Sequence, residues 1–210
     1  AIFDHLEDTQ QNGVGGRRPP QRDGVWASAF TSSDLIEGDA SLGSHQFQSD
    51  ANGFIGGADF HLSPGFVLGG AFSVGSTSFH LADGFGDGKD SAVQAGVYGF
   101  IRYLPRLYGD FSAAFGVNSI TTARVITVSG TDDLSGKVTA NVFGVRYETG
   151  AELGWFIPYF ALQDQLAMTP AYSETASSGS DNFALSYLSH TVNQPGVELG
   201  VRQNANIVLD

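Results

Sequence analysis

The chain has 210 residues, no cysteine, and 10 Lys and Arg against 22 Asp and Glu, for a formal net charge of −12. This length suits one large domain, and the absence of cysteine excludes disulfides and thiolate metal sites. Because so acidic a chain repels phosphate backbones, nucleic acid is excluded as an expected partner. Glycine is frequent at 28 residues, whereas charged residues make up only 15%, against about 25% in ordinary domains. The composition therefore predicts a β-rich protein with an unusual surface.

The first 23 residues differ from the rest of the chain. Ile2, Phe3 and Leu6 fall at helical spacing, and glycines and prolines from Gly13 onward then interrupt regular structure. We predict that residues 1–23 form a linker that includes the end of a helix, and that 24–210 form a β domain. No apolar run of about 18 residues is present, which excludes a helical membrane protein but not a membrane β-barrel.

The β domain shows strict alternation of apolar and polar residues in several runs. In one run, Leu107, Phe111 and Phe115 oppose Asp110 and Ser112. Period two places each of these sets on one face of a sheet. The same alternation predicts further strands at 54–62, 93–103, 145–155 and 197–202, and short apolar runs predict strands near 66–75 and 159–166.

The connections between the predicted strands alternate between short and long. Proline-containing turns are expected at 63–65, at 104–106 and around Ile157 and Pro158. Long polar connections are expected at 31–50, 76–92, 119–137 and 168–194. This pattern predicts an all-β, up-and-down antiparallel sheet of about eight strands, with all short turns at one end.

Alternation does not say whether the apolar face meets a core or lipid. The opposite face is small and sparsely charged, unlike a soluble surface. Tyr103, Trp155 and Phe66 lie near strand ends, as aromatic girdles do at membrane interfaces. These features favour a transmembrane β-barrel with a polar lumen. A soluble ligand-binding barrel, with its apolar residues inside, is the alternative.

Glycines inside the predicted strands serve either to bend the wall or to relieve crowding. They include Gly56, Gly57, Gly69, Gly70, Gly96 and Gly99.

No motif predicts catalysis, a metal or a cofactor. The run from Asp83 to Asp90 resembles a Ca²⁺ loop, but no glutamate follows and the spacing is wrong, so an exposed hairpin loop is favoured. Its G-x-G-x-G spacing precedes no helix that would hold phosphate. The histidines are scattered, with His61 expected to pair with Asp59 on the wall, and no G-x-S-x-G elbow occurs. The chain is therefore not predicted to be an enzyme.

Eight charged residues share the polar face of the predicted strands. We expect them to line the lumen, where they either contact a transiting peptide or form salt bridges that stabilise the wall. The residues are Asp59, Arg102, Asp110, Arg146, Glu148, Glu152, Glu198 and Arg202.

Several runs resemble the C-terminal translocator (β) domain of autotransporters, in colinear order over residues 24–202. They are GVWASAF from Gly24, GGADFHL from Gly56, LGGAFSVG from Leu68, QAGVYGF from Gln94, PYFAL from Pro158 and ELGVR from Glu198. The resemblance implies a twelve-stranded barrel in a Gram-negative outer membrane that anchors and exports an N-terminal passenger by type V secretion. It implies the outer-membrane lipid, the passenger, the barrel assembly machinery and periplasmic chaperones as partners of a monomer.

Family barrels end in a strand with a terminal aromatic residue, whereas this chain ends at Asn206–Asp210. We therefore expect a barrel that is incomplete at its C-terminus, with eight of twelve strands present. Eight strands that close on themselves are the alternative, because open strand edges in lipid cost tens of kcal/mol. Such a small barrel would act as an independent pore or as a surface-loop binder.

Overall fold

The computed structural model describes residues 23–39, 41, 44–84, 86–128 and 130–203. The predicted linker and helix end at 1–22, and the terminal Asn206–Asp210, lie outside the described residues. Strands account for nearly all of the described chain, as the alternation predicts. They are β1 (Gly24–Ile36), β2 (Phe47–Ser63), β3 (Phe66–Leu81), β4 (Gly86–Leu104), β5 (Leu107–Ile126), β6 (Asp132–Ala151), β7 (Phe156–Thr169), β8 (Tyr172–Ser173), β9 (Thr175–Ser178), β10 (Ser186–Tyr187) and β11 (His190–Gln203).

The eight long strands form one antiparallel sheet in the order β1-β2-β3-β4-β5-β6-β7-β11. Each long strand pairs with the next long strand in the chain, which confirms the predicted up-and-down architecture. Strand β9 also pairs with β6, and β8 pairs with β10 in a small separate sheet. Within the described residues, β1 and β11 each pair along one edge only, so the sheet is not closed by these strands.

Two of the three predicted short turns are confirmed, at Pro64–Gly65 and Pro105–Arg106. The third prediction was wrong in position, because the turn lies at Gly154–Trp155 and Pro158 belongs to β7. Gly154 adopts a φ of 76°, a left-handed conformation that glycine reaches without strain. Pro158 is tolerated in the strand because the ladder between β6 and β7 stops one residue away, at Gly150 and Tyr159.

The long connections are shorter in the structure than the sequence pattern predicts. The strands continue through most of the polar segments, so the connections shrink to 37–46, 82–85, 127–131 and 170–189. Serine and threonine occupy many of the additional strand positions, and threonine has a high strand propensity. The extended strands β4, β5 and β6 therefore have 19, 20 and 20 residues, longer than the roughly 9–11 residues that cross a bilayer.

Strand register defines two faces of the sheet. Residues directly opposite each other in an antiparallel ladder point to the same side. We call the face that carries Asp110 and its ladder partners Phe100 and Glu148 the inner face, and the opposite face the outer face. Two short 3-10 helices, Ala82–Gly84 and Asp181–Phe183, interrupt the strands. No helix among the described residues is long and apolar enough to span a membrane.

Side-chain contacts cross the inner face between strands that are not neighbours. The Trp26 Nε1 group of β1 donates a hydrogen bond of 2.8 Å to the Tyr98 hydroxyl of β4, three strands away. At the other end of the sheet, Arg202 of β11 hydrogen bonds to Glu148 of β6, two strands away, at 2.5 and 2.9 Å. Neighbouring strands lie about 4.8 Å apart, so these side chains extend across the intervening strands on the inner face.

Candidate functional site

The outer face changes character along a single row of the ladder. Phe54, Val74, Val93 and Val117 are in register on β2–β5. We call the part of the sheet from this row to the short turns the turn half, and the part beyond it the loop half. One step into the loop half, the outer face carries Asn52, Ser76, Ser91 and Ser119, again in register. This change marks a boundary between an apolar and a polar environment.

In the turn half, the large apolar side chains are exposed on the outer face. On β4 this stretch covers residues 93–101, close to the roughly 9–11 residues of a transmembrane strand. An exposed apolar surface of this extent marks contact with lipid or with another protein. Exposed members of this outer band are Phe54, Phe60, Leu62, Leu68, Phe72, Val74, Val93, Val97, Leu107, Phe115, Phe143, Tyr147, Leu162, Val197, Leu199 and Val201.

The inner face of the turn half is both buried and polar. Asp59, Asp110, Ser112 and Glu148 are buried there. Aromatic and aliphatic side chains accompany them in two clusters, one around Tyr98 and one around Tyr108. The turn half is therefore apolar outside and polar inside. A soluble barrel with its apolar residues inside does not fit this half, and a membrane wall with a polar lumen does.

The loop half has a polar outer face. Its inner face carries apolar side chains, with the Phe47 and Phe79 rings 6.0 Å apart and Leu134 only 1% exposed, beside the charged residues Asp90, Arg124 and Asp132. Its outer face carries residues such as Lys137 and Asp133, which point away from Leu134 because they are its odd-numbered neighbours on β6. This arrangement is that of a sheet in water, with its apolar side covered.

The structure brings all eight charged residues predicted for the lumen to the inner face, near the short turns. Asp59 lies on β2, Arg102 on β4, Asp110 on β5, Arg146 and Glu148 on β6, and Glu198 and Arg202 on β11. Glu152 lies just after β6, in the turn to β7. The set contains five carboxylates and three guanidinium groups, so its formal charge is negative by two.

Glu148 is the centre of the largest charged group. Its side chain is 2% exposed and lies between Arg146, at 3.0 Å, and Arg202, at 2.5 Å. The Tyr108 hydroxyl donates a further hydrogen bond of 2.9 Å to Glu148. Arg146 also reaches Glu198 at 3.1 Å, which ties β6 to β11. Paired and hydrogen-bonded in this way, a buried carboxylate can stay charged in the wall.

Arg102 and Glu152 form a second ion pair, at the turn end of the inner face. Arg102 donates two parallel hydrogen bonds to the carboxylate, of 2.9 and 3.1 Å. The Glu152 backbone N–H donates to the Arg106 carbonyl, which fixes this part of the chain beside the turn between β4 and β5. A bidentate pair of this kind holds both side chains in one geometry. The pair therefore connects two short turns across β5.

Asp59 accepts a hydrogen bond of 2.5 Å from the Tyr98 hydroxyl. The predicted pair of His61 with Asp59 was wrong, because the His61 backbone N–H and Nδ1 both contact Asp23 instead. The strand register explains why Tyr98 is the partner of Asp59. Gly69 of β3 lies between the two residues, and the Tyr98 ring lies flat across this glycine. A Cβ added at Gly69 would lie 2.3 Å from the Tyr98 ring. This glycine relieves crowding, the second of the two roles expected for the in-strand glycines.

Alternation and motifs in the sequence did not indicate the tyrosines that connect these charges, nor a charged pair farther along the strands. Tyr108 lies over Gly150 in the same way as Tyr98 lies over Gly69. In the loop half, Arg124 and Glu174 form an ion pair at 2.6 Å. The tyrosines and the in-strand glycines can each be seen in the sequence. Only the strand register shows that a given tyrosine lies opposite a given glycine.

The Asp83–Asp90 run is largely a strand rather than a loop. Most of it belongs to β4, where Asp87 and Asp90 lie three residues apart and point to opposite faces of the sheet. The predicted hairpin loop is limited to residues 82–85. In the described part of the chain, no three His, Asp or Glu side chains are grouped so that they could hold a metal ion.

Comparisons with known proteins agree with this geometry. The family model described as "Autotransporter beta-domain" matches residues 25–210. Among solved structures, the translocator domain of autotransporter NalP from Neisseria meningitidis is similar in fold, with a TM-score of 0.69 at 11% sequence identity. The match covers 96% of this chain and 67% of that one. No curated protein sequence matches the chain.

Proposed function

Because the chain belongs to the autotransporter β-domain family, we propose that it spans a Gram-negative outer membrane and exports and anchors an N-terminal passenger. The observation that carries this proposal is the polarity of the turn half, where exposed apolar side chains cover the outer face and buried charges cover the inner face. Lipid contacts the outer face, and the exported polypeptide passes along the inner face. The barrel assembly machinery and periplasmic chaperones deliver the domain, which acts as a monomer.

We propose that further strands join β1 to β11 in the membrane. Along the unpaired edge of a strand of about ten residues, about ten backbone groups lack partners, and in hydrocarbon each costs several kcal/mol. The sum exceeds the roughly 5–15 kcal/mol of net stability that a protein has. An open eight-stranded wall would therefore not persist in lipid. The 67% coverage of the NalP translocator domain supports the need for more strands.

The lumenal charges are proposed to contact the passing polypeptide through hydrogen bonds and alternating charge. Such contacts are weak and are exchanged easily, because the charges already have partners within the wall. Glu198 is the most open of the acids paired with arginine, with a side chain 46% exposed. Its position at the surface of the inner wall makes it accessible to a peptide while Glu148 is enclosed.

The test replaces Asp59, Asp110 and Glu198 together by Asn, Asn and Gln in the full-length protein. Passenger display on the cell surface is measured by protease release. The matched control replaces Asp50, Asp87 and Asp133 by Asn, which removes the same charge from the outer face of the loop half. We expect slower display in the first variant only. Heat-modifiable gel mobility should show that both variants are folded. Equal display rates would refute the proposed contact, and the charges would then serve wall stability.

A further inference from the structure

The connection between β7 and β11, residues 170–189, is a folded unit, which we call the cap. Strand β7 leaves β6 after Met168, and β9 takes over the same edge of β6, where Ala176 is paired with Leu134. The Tyr172 and Tyr187 rings stack with centroids 4.5 Å apart and join β8 to β10. The cap is therefore held both to the wall and within itself.

The cap reaches over the inner face of the loop half. Arg124 shares this face with Leu134, its ladder partner. Its guanidinium donates hydrogen bonds of 2.6–3.1 Å to the Glu174 carboxylate and one of 2.6 Å to the Phe183 carbonyl. The Leu185 backbone N–H donates to Glu174 at 2.9 Å. One buried carboxylate thus joins the wall to both arms of the cap.

Packing beneath the cap shows that it lies on the inner side of the wall. A Cβ added on the inner side of Gly136 would lie 3.2 Å from Tyr172 and 3.5 Å from Glu174. Beside it, Leu134 and Val138 are buried. A glycine between two buried apolar residues lets the cap approach the strand closely. The apolar inner face of the loop half is therefore the surface on which the cap rests.

A second polar anchor fixes the end of the cap next to β6. Asp132 is buried and accepts hydrogen bonds from the Ser180 backbone N–H at 2.7 Å and from its hydroxyl at 3.2 Å. Gly179, which precedes Ser180, has a φ of 84°. This conformation turns the chain sharply toward the wall. Two buried carboxylates, Glu174 of the cap and Asp132 of β6, therefore hold this one connection.

We propose that the cap narrows the loop end of the lumen at rest and must detach from Arg124 and β6 before a polypeptide can leave. The inference relies on the membrane placement given under the proposed function, but it concerns how the opening is controlled. Detachment exposes Leu134 and Val138, which an extended polypeptide with apolar side chains then covers. The cap and the exported chain thus compete for the same surface.

The test uses the full-length protein in planar bilayers and in cells. In bilayers, Glu174→Gln weakens the anchor, and we expect a severalfold higher conductance than in the wild type. In cells, Ser135→Cys with Thr175→Cys, which are directly opposed in the β6–β9 ladder, can form a disulfide because ladder partners lie about 4.5–5.5 Å apart. Since these 210 residues contain no other cysteine, this is the only crosslink that oxidation can form within them.

The matched control is Thr121→Cys with Lys137→Cys, a ladder pair that links β5 to β6 on the outer face. We expect oxidation to stop passenger display in the cap variant only, and reduction to restore it. Unchanged conductance in Glu174→Gln, or display that continues with the cap disulfide formed, would overturn the proposal. Conductance needs no passenger, so a conductance increase without any passenger display would contradict the proposed function and leave the cap supported.

Discussion

The turn half and the loop half are made of the same strands, yet the outer face is apolar in the turn half and polar in the loop half. On β3, Phe72 and Val74 face outward in the turn half, whereas Phe79 and Leu81 face inward in the loop half. The strand does not change its geometry between them, since period two continues through both. The difference teaches that one strand can present an apolar outer face in one part and a polar outer face in another, and under the proposed membrane placement lipid covers the first part and water the second. Three predictions test this comparison.

The largest effect is expected for Glu148→Ala in the turn half. It leaves Arg146 and Arg202 without their shared carboxylate, and breaking a buried pair by removing one partner costs about 3–5 kcal/mol. Urea unfolding in lipid vesicles, followed by gel mobility, measures the loss of unfolding free energy. Glu37→Ala, at an exposed site beyond β1, is the control and is expected to cost little. Similar losses in the two variants would mean that the inner charges are not buried in the assembled wall.

An intermediate effect is expected for a charge on the outer face of β4. Val97→Arg places a guanidinium within the apolar band, which costs about 2–4 kcal/mol in a bilayer. Ser91→Arg, on the same strand and face but in the loop half, is expected to change stability by less than about 0.5 kcal/mol. The measurement is the same unfolding assay. If the two substitutions cost the same, the boundary between Ser91 and Val93 does not separate lipid from water.

The smallest effect is a pH dependence of the cap. The Arg124 guanidinium beside Glu174 holds the pKa of that carboxyl below its ordinary 4.5, and the hydrogen bond raises the pKa of Arg124. Burial, with the Glu174 charge, raises the pKa of Tyr187, so the tyrosine stays neutral in acid. The attachment is therefore complete above pH 4.5 and is lost as the pH falls through the lowered pKa of Glu174.

Amide hydrogen exchange at Leu185, corrected for its intrinsic rate, reports this attachment. We expect protection to fall in acid in the wild type, and to be low at every pH in Glu174→Gln. Protection of Gly144, in the turn half between β5 and β7, should not respond to this titration. Acid-independent protection of Leu185 in the wild type would show that the carboxylate charge does not hold the cap.

Much of the wall was predictable from local pattern. Alternation over 107–118 gave the face of Asp110 correctly, and Pro64 and Pro105 located two turns, because both signals depend on residues close in sequence. Alternation failed at Leu153 and Trp155, which continue the period of β6 but lie in the turn. A periodic pattern carries no stop signal, and here the stop is the left-handed Gly154.

The common face of the eight charged residues was also predictable, but their partners were not. Arg146 and Glu148 are two residues apart, so their shared face follows from the period. Arg102 and Glu152 are 50 residues apart, and their pairing depends on the register of β4, β5 and β6. The polar connections were predicted as loops because a polar alternating strand and a polar loop have similar composition.

The sequence by itself determined that this chain forms an up-and-down β-sheet with one apolar and one polar face in its membrane part. Period two, proline turns and scarce charge are local properties and require no knowledge of neighbours. Only the tertiary structure decided where the polarity reverses, which tyrosine lies over which glycine, and that residues 170–189 fold back onto the inner wall. Those features depend on ladder register between segments far apart in the chain, and register is set by packing across strands.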